Sequence, residues 1–217
     1  MKSKGLLWLE CITLFGGLPL VLTWLQLRGG FPFLPVLLAF LVITLGISRN
    51  DSAISFRPPS TSPAIRSFLI RLGIVAVSLL LLTAFLYPDL FLRLPRQRTR
   101  LWMLILILYP LLSVAPQEFL YRTFFMQRYV PIFGQGKGLF WANVFFFGWG
   151  HIFFLNWVAP LLSLLGGILL TRTWQQTKSF KWVCIEHAIY GQLVFTSGIG
   201  WWFYTGSAQS IQSVTGG

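Results

Sequence analysis

The chain has 217 residues, of which 55% are hydrophobic and only 10% are charged. A soluble domain of this length carries about a quarter charged residues, so the composition excludes an ordinary water-soluble enzyme or binding module. The formal net charge of +12 raises nucleic acid as a partner, but no basic face is interleaved with aromatic residues as a binding groove requires. We therefore predict an integral membrane protein with no nucleic-acid partner.

Long apolar blocks predict an all-α fold, a polytopic transmembrane helical bundle. A span needs roughly 20 apolar residues. In chain order, the blocks cover residues 5–27, 31–47, 67–87, 101–129, 139–157, 158–173 and 180–197. This gives about seven spans, with six to eight compatible with the pattern. Between the third and fourth blocks, residues 88–100 mix leucines with arginines, as in a short helix at the membrane interface.

The length predicts a single membrane domain over residues 1–217, and the basic residues predict its orientation. Cytoplasmic loops carry an excess of Lys and Arg. Counting spans from the N-terminus, three basic regions fall on the side of Met1: residues 49–66, 128–137 and 172–181. The cluster at residues 93–100 falls on the opposite side. We predict a cytoplasmic N-terminus, in a bacterial-type plasma membrane or an equivalent internal membrane.

Ionisable residues inside apolar blocks are the candidate functional groups. A charged side chain at the bilayer centre costs roughly 2.5–3.5 kcal/mol even on lenient scales. Such groups therefore face the bundle interior, pair with one another and mark sites. Five residues qualify: Glu10, Glu118, Glu186, His151 and His187.

Two of these carboxylates have simple interpretations that do not require catalysis. Glu118 and Arg122 are four residues apart, so on a helix they share a face and can form an internal salt bridge that only stabilises the bundle. Glu10 lies near the membrane edge, where its carboxylate can reach the lipid head groups.

Each histidine alone could hydrogen-bond to a neighbouring helix. His151 follows Gly148 and Gly150, which allow close backbone approach. His187 follows Glu186 and precedes Tyr190 by one turn. Two histidines together with a carboxylate are better explained by a shared polar centre.

A glutamate with two histidines supports a limited chemistry. The carboxylate and one imidazole can activate water as a general base, while a second imidazole or an amide stabilises the oxyanion. The same three groups could instead hold zinc with an open position for water. The tight helical spacing of the zinc-protease motif is missing, and Cys11 and Cys184 lack ligand spacing. We assign no metal ligand and no cofactor, with zinc as the alternative.

The order of these residues resembles the CPBP family of intramembrane proteases, which includes CAAX prenyl endopeptidases and bacteriocin-immunity (abortive-infection) proteins. Its first motif, Glu-Glu-x-x-x-Arg, corresponds to residues 117–122, and its second, Phe-x-x-x-His, to residues 147–151. Its third, His-x-x-x-Asn or Asp, corresponds to residues 187–191, and Asn143 also matches. The resemblance covers residues 100–195, which it implies form the protease core.

The resemblance implies roles for seven residues. The implied catalytic residues are Glu118, His151, His187 and Arg122, and the implied substrate-binding residues are Gln117, Asn143 and Tyr190. Two positions depart from the family pattern. Gln117 stands where the family has the glutamate assigned to water activation, and an amide cannot take a proton. Gly191 stands where an Asn often assists the oxyanion.

Two functions remain open from the sequence. The first is an intramembrane endopeptidase, CAAX-protease-like, that hydrolyses a peptide bond of a membrane-associated peptide or protein with Glu/His-activated water. The alternative is a catalytically silent relative that acts as a membrane-protein binding, assembly or immunity factor. In both cases the predicted partners are the lipid bilayer and a membrane-associated polypeptide.

Overall fold

The computed structural model describes residues 3–49, 51, 54–55 and 61–203. Met1 and part of the basic region at residues 49–66 that supported the predicted orientation, namely residues 50, 52–53 and 56–60, lie outside the described residues. In the described part of the chain the secondary structure is helical, without a strand. The predicted all-α class is confirmed.

The helices are numbered here in chain order. Within the described residues, α1 to α9 are Lys4–Leu27, Phe33–Arg49, Ile65–Leu86, Arg93–Gln97, Thr99–Arg128, Val130–Phe133, Lys137–Trp149, Val158–Thr177 and Phe180–Ser197. Short 3₁₀ turns join some of them, at Pro88–Leu90, Ile152–Phe154 and Ile199–Phe203.

Three of the described helices are long and apolar enough to cross a membrane: α1, α3 and α5. Helix α2 is a shorter apolar helix. The face of α3 turned away from the protein is strongly apolar, since Ile74, Val77, Leu81 and Phe85 are all exposed. Exposed apolar side chains along a whole helix suit contact with lipid rather than water. The protein is an integral membrane protein, and the count of seven spans stays a prediction.

The block predicted over residues 139–157 is divided in the structure. Helix α7 ends at Trp149, and a 3₁₀ turn at Ile152–Phe154 follows. Leu155 then adopts a left-handed conformation with φ of 57°, which a continuing right-handed helix cannot contain. His151 therefore lies in a turn after α7, not within a helix.

Helix α5 is continuous over 30 residues but contains two π segments, Pro110–Val114 and Phe119–Phe125. Proline has no N–H group, so Pro110 cannot donate to the carbonyl of Leu106. The side-chain amide of Gln192 on α9 donates to that carbonyl instead, at 3.1 Å. π segments occur frequently at functional sites, and these two flank Gln117 and Glu118.

An aromatic cluster around Phe15 packs α1 against α2, α5 and α7. Phe15 is fully buried, and its ring centroid lies 5.0–6.3 Å from those of six other aromatic rings, namely Phe40, Tyr121, Phe124, Phe125, Tyr129 and Phe146. Offset and edge-to-face pairs of this kind contribute about 0.5–1.5 kcal/mol each beyond burial. The cluster fixes the half of α5 that follows Glu118.

Helices α7 and α8 approach closely where glycine removes a side chain. A Cβ atom at Gly148 would overlap the side chain of Leu164. On the partner helix, a Cβ atom at Gly167 would lie 3.2 Å from the Phe147 ring. Small residues allow this backbone approach in membrane bundles, as predicted for the glycines before His151. The contact positions the end of α7, and with it the turn that carries His151.

An ion-pair network ties one end of α5 to α1. The guanidinium of Arg128 donates to both carboxylate oxygens of Glu10, at 2.9 and 2.8 Å, and also pairs with Asp51. The hydroxyl of Tyr129 donates to Glu10 at 3.3 Å. Glu10 was predicted to reach the lipid head groups. It turns inward instead, because a partly buried carboxylate is better stabilised by an adjacent arginine.

Candidate active site

The site is built on a hydrogen bond between helices α5 and α9. Nδ1 of His187 lies 2.7 Å from Oε1 of Glu118. Glu118 is completely buried, and its other oxygen, Oε2, lies 3.2 Å from Nε of Arg122. The predicted pair of Glu118 with Arg122 is therefore present, and it shares the carboxylate with His187.

Arg122 is held by charge and by packing more than by directed hydrogen bonds. Its side chain is fully buried, yet none of its three nitrogens makes a hydrogen bond of good geometry. The Nε–Oε2 distance is that of an ion pair, while the orientation is not that of a hydrogen bond. The guanidinium carbon lies 4.5 Å from the centroid of the Phe147 ring, within cation–π range. Arg122 therefore balances the charge of Glu118 from a fully buried position.

The hydrogen-bond partners fix the tautomer of each histidine. Because the Glu118 carboxylate can only accept, Nδ1 of His187 carries the proton. Its Nε2 then accepts from the hydroxyl of Tyr109, at 3.2 Å. In His151, Nδ1 lies 2.7 Å from the carbonyl oxygen of Phe147, so it too is the donor. The Nε2 atom of each neutral imidazole is thus a proton acceptor.

A cavity of about 260 Å³ lies between α5, α8, α9 and the turn after α7. Both histidines line it, and the edge of Phe147 separates them, with ring centroids 5.0 Å from His151 and 5.7 Å from His187. The polar groups of the lining come from Tyr109, Ser113, Gln117, His151, Ser163, His187 and Tyr190. Most of the remaining wall is apolar. The cavity is large enough for a water molecule beside a peptide group.

Glu118 is not among the residues that line this cavity. Its carboxylate lies behind His187 and reaches the cavity only through that imidazole. The catalytic role of Glu118 stays a prediction, and the geometry gives its carboxylate no direct contact with this cavity. Its two oxygens face Arg122 and His187, so it acts on the cavity by orienting and polarising His187.

The structure distributes the three predicted substrate-binding residues differently. Gln117 and Tyr190 line the cavity, and the Gln117 amide donates to Ser113 at 2.8 Å. Asn143 does not line it. The Asn143 amide donates to the carbonyl of Tyr121 at 2.7 Å and accepts from Thr171 at 2.8 Å. Both ends of its amide thus join α5, α7 and α8, and a role of Asn143 in substrate binding stays a prediction.

Glu186 is a second buried carboxylate, lies on α9 and belongs to a separate network. Arg71 on α3 lies 3.2 Å from it and also donates to Thr173 on α8 at 3.1 Å. The hydroxyl of Tyr190 donates to Glu186 at 2.7 Å. Arg71 was missed from the sequence, although a lone arginine in the apolar block of residues 67–87 was the available signal.

Two cavity residues were also missed, Tyr109 and Ser113. Both precede Gln117 on α5 at intervals of four residues, so they lie near it on one face of the helix. The four-residue spacing could have predicted that Tyr109 and Ser113 lie beside Gln117. They were not selected as candidates because burying an uncharged residue in an apolar block costs much less free energy than burying a charged one.

The donor set does not fit a resident zinc ion. Catalytic zinc sites use three protein ligands, and in the described part of the chain no group of three or more His, Cys, Asp or Glu side chains is placed to hold a metal. His151 and His187 supply two nitrogens, while the Glu118 oxygens are directed elsewhere.

The burial of the Glu118–Arg122 pair predicts a specific pattern of stability. Arg122→Gln should lower the free energy of unfolding by about 3 kcal/mol or more, because it leaves a buried carboxylate with only a neutral imidazole beside it. The double variant Glu118→Gln/Arg122→Gln removes both charges and should recover much of the loss. Thermal unfolding in detergent measures both, with Arg66→Gln, an exposed arginine, as the control. A double variant less stable than Arg122→Gln would contradict the ion-pair interpretation.

Comparison with known proteins agrees with the motif resemblance. Residues 97–192 match the family model described as type II CAAX prenyl endopeptidase Rce1-like. No curated protein and no solved structure matches the chain. The matched segment runs from the last residue of α4 into α9 and contains Glu118, His151 and His187. Over residues 97–192, the chain is therefore similar to the Rce1-like family, in agreement with its resemblance to the CPBP motifs.

Proposed function

We propose that this protein is an intramembrane endopeptidase that hydrolyses a peptide bond of a membrane-associated substrate, with water activated by the Glu118–His187 pair. The observation that supports this best is the 2.7 Å hydrogen bond that joins His187, on the cavity wall, to a carboxylate with no other route to the cavity. A carboxylate behind an imidazole orients the ring and stabilises its protonated form. Burying a carboxylate inside a membrane costs free energy. General-base catalysis is a function that requires the carboxylate at this position.

In the proposed mechanism, Nε2 of His187 takes a proton from the attacking water. The water oxygen adds to the substrate carbonyl, and Glu118 stabilises the imidazolium that forms. His151 faces the same cavity with an unprotonated Nε2, which accepts the second hydrogen of the water and orients it. On collapse of the tetrahedral intermediate, His187 returns its proton to the leaving amine. The water oxygen and its second hydrogen remain in the new carboxylic acid, the amine leaves with the first proton, and both histidines regain their starting protonation.

Gln117 fits a supporting role in this scheme. An amide at the position of the family's first glutamate cannot act as a base, but its N–H groups can hydrogen-bond to a substrate carbonyl. Its place in the cavity wall, one residue before Glu118, makes it a candidate for substrate positioning. The base role in this chain falls to His187 with Glu118.

The same residue supports the second candidate function, a catalytically silent relative that binds a membrane protein or peptide. Without the first glutamate, the cavity could serve as a binding site alone. The two functions differ in whether purified protein cleaves membrane peptides, and in whether the Glu118–His187 pair is needed for anything beyond folding.

Substitution of Glu118 tests the proposed mechanism. Glu118→Gln should lower turnover of a membrane peptide by about 10²–10⁴, the usual size of general-base assistance. It also leaves Arg122 unpaired, so stability must be measured beside activity. Glu10→Gln is the matched control, because it makes the same change in an arginine-paired carboxylate far from the cavity. Both variants should unfold at lower temperature, and only Glu118→Gln should lose turnover. Equal activity of the two, measured where both are folded, would refute the mechanism.

The donor set predicts the response to metal removal. Because no group of three or more His, Cys, Asp or Glu side chains comes together in the described part of the chain, turnover should be unchanged after dialysis against a zinc chelator. The measurement is the cleavage rate before and after dialysis, with added zinc as a further arm. Loss of activity that zinc restores would favour the metal mechanism.

We also propose that the N-terminus faces the cytoplasm. The amide of Thr61 donates to the carbonyl of Thr177 at 2.8 Å, and Arg128 pairs with Asp51. The three basic regions that follow α2, α5 and α8 thus share one end of the bundle, and the excess of positive charge favours that end for the cytoplasm.

Cysteine labelling in intact cells tests this orientation, in a background with Cys11 and Cys184 replaced. Ser62→Cys and Gln97→Cys lie beyond opposite ends of α3, which is about 33 Å long at 1.5 Å per residue. An impermeant reagent added outside should label Gln97→Cys and spare Ser62→Cys. The reverse pattern would place the N-terminus outside.

A further inference from the structure

Tyr109 occupies the space beside Gly191. A Cβ atom at position 191 would overlap the Tyr109 ring and its hydroxyl oxygen. The ring is held from the other side by Phe195, at a centroid distance of 5.3 Å. Its hydroxyl lies 3.2 Å from Nε2 of His187 and lines the cavity. The space left by the missing side chain of Gly191 on α9 is thus occupied by the Tyr109 ring from α5. The hydroxyl of that ring contacts Nε2 of His187.

We infer that the Tyr109 hydroxyl is the hydrogen-bond donor to the carbonyl oxygen under attack, taking the place of a polar side chain that position 191 lacks. The inference rests on the proposed endopeptidase function and adds a residue to it. It also gives the departure at Gly191 a physical reason, since the glycine makes room for the tyrosine.

The proton balance of the reaction explains how one hydroxyl can serve both partners. Before substrate and water bind, Tyr109 donates to the unprotonated Nε2 of His187. Because Nε2 has a single lone pair, the hydroxyl turns from Nε2 to the substrate carbonyl when the attacking water binds, and the water then donates to Nε2. Once Nε2 has taken the proton of the water, it can no longer accept from Tyr109. At the same moment the carbon–oxygen bond forms and the carbonyl electron pair moves onto the oxygen. The released hydroxyl donates to that oxyanion, and it returns to Nε2 after His187 has passed its proton to the leaving amine.

Two other donors of the cavity wall, the Tyr190 hydroxyl and one N–H of the Gln117 amide, have partners that do not change during this step. The hydroxyl of Tyr190 donates to Glu186, and the amide of Gln117 donates to Ser113. Of these three donors, only Tyr109 is bonded to an atom that becomes protonated in the proposed reaction. Its hydroxyl therefore has to leave Nε2 before the proton transfer, and it is available to the substrate oxygen when charge develops there.

The experiment compares Tyr109→Phe with Tyr129→Phe by steady-state cleavage of a membrane peptide. Each variant removes one hydroxyl from a buried tyrosine, and the Tyr129 hydroxyl contacts Glu10, away from the cavity. Tyr109→Phe should lower kcat by about 10²–10³, the usual effect of removing one oxyanion donor, with KM changed by less than a few fold. Tyr129→Phe should leave both constants near wild type.

A rescue tests whether Tyr109 stands in for a side chain at position 191. Tyr109→Ala should be as slow as Tyr109→Phe, and Tyr109→Ala/Gly191→Asn should recover at least tenfold in kcat, because the amide enters the vacated space. Gly191→Asn alone should unfold at lower temperature, since it overlaps the ring.

The outcomes separate this inference from the proposed function. Wild-type kcat in Tyr109→Phe, with turnover still abolished in Glu118→Gln, would overturn the role of Tyr109 and leave the endopeptidase function intact. No recovery in the double variant would overturn the replacement of position 191 by Tyr109. An inactive wild-type protein would overturn both the function and the inference.

Discussion

A charge inside a membrane costs free energy unless it is paired, and much of this structure depends on how the buried carboxylate of Glu118 is paired. A buried carboxylate with one partner is poorly stabilised. Glu118 has two, Arg122 on its own helix and His187 on α9. The arginine satisfies the charge and the histidine connects it to the cavity. Because the two partners approach different oxygens, the position of α9 relative to α5 is set by the same group that polarises the imidazole.

The other buried charges follow the same rule and divide the bundle into zones. Glu10 pairs with Arg128 at one end, and Glu186 pairs with Arg71 between α3 and α9. Each of these networks joins helices without reaching the two imidazole Nε2 atoms. The cavity therefore keeps only neutral polar groups and two histidines, which suits chemistry that creates charge transiently.

Much of this arrangement could be predicted from the sequence, and the failures have physical causes. The pairing of Glu118 with Arg122 follows from their spacing on a helix. The importance of His151 and His187 follows from the cost of burying polar groups in apolar blocks. The contacts of Asn143 could not be predicted, because an amide that bonds to a neighbouring carbonyl and a hydroxyl looks the same in sequence as one that faces a ligand. The end of α7 at Trp149 was missed because hydrophobicity continues through a turn as readily as through a helix.

The π segment at Pro110–Val114 has a consequence for the angular order of side chains around α5. Tyr109 and Glu118 are nine residues apart. At about 100° per residue, a regular α-helix would place them about half a turn apart, on opposite faces. Yet both contact the same imidazole, one at each ring nitrogen. A π turn accommodates roughly one additional residue in the helix, which brings the two directions to within about 80°. The convergence on His187 thus depends on helical phase, and the same nine-residue separation in a regular α-helix would turn one of them away from it while changing no residue of the site.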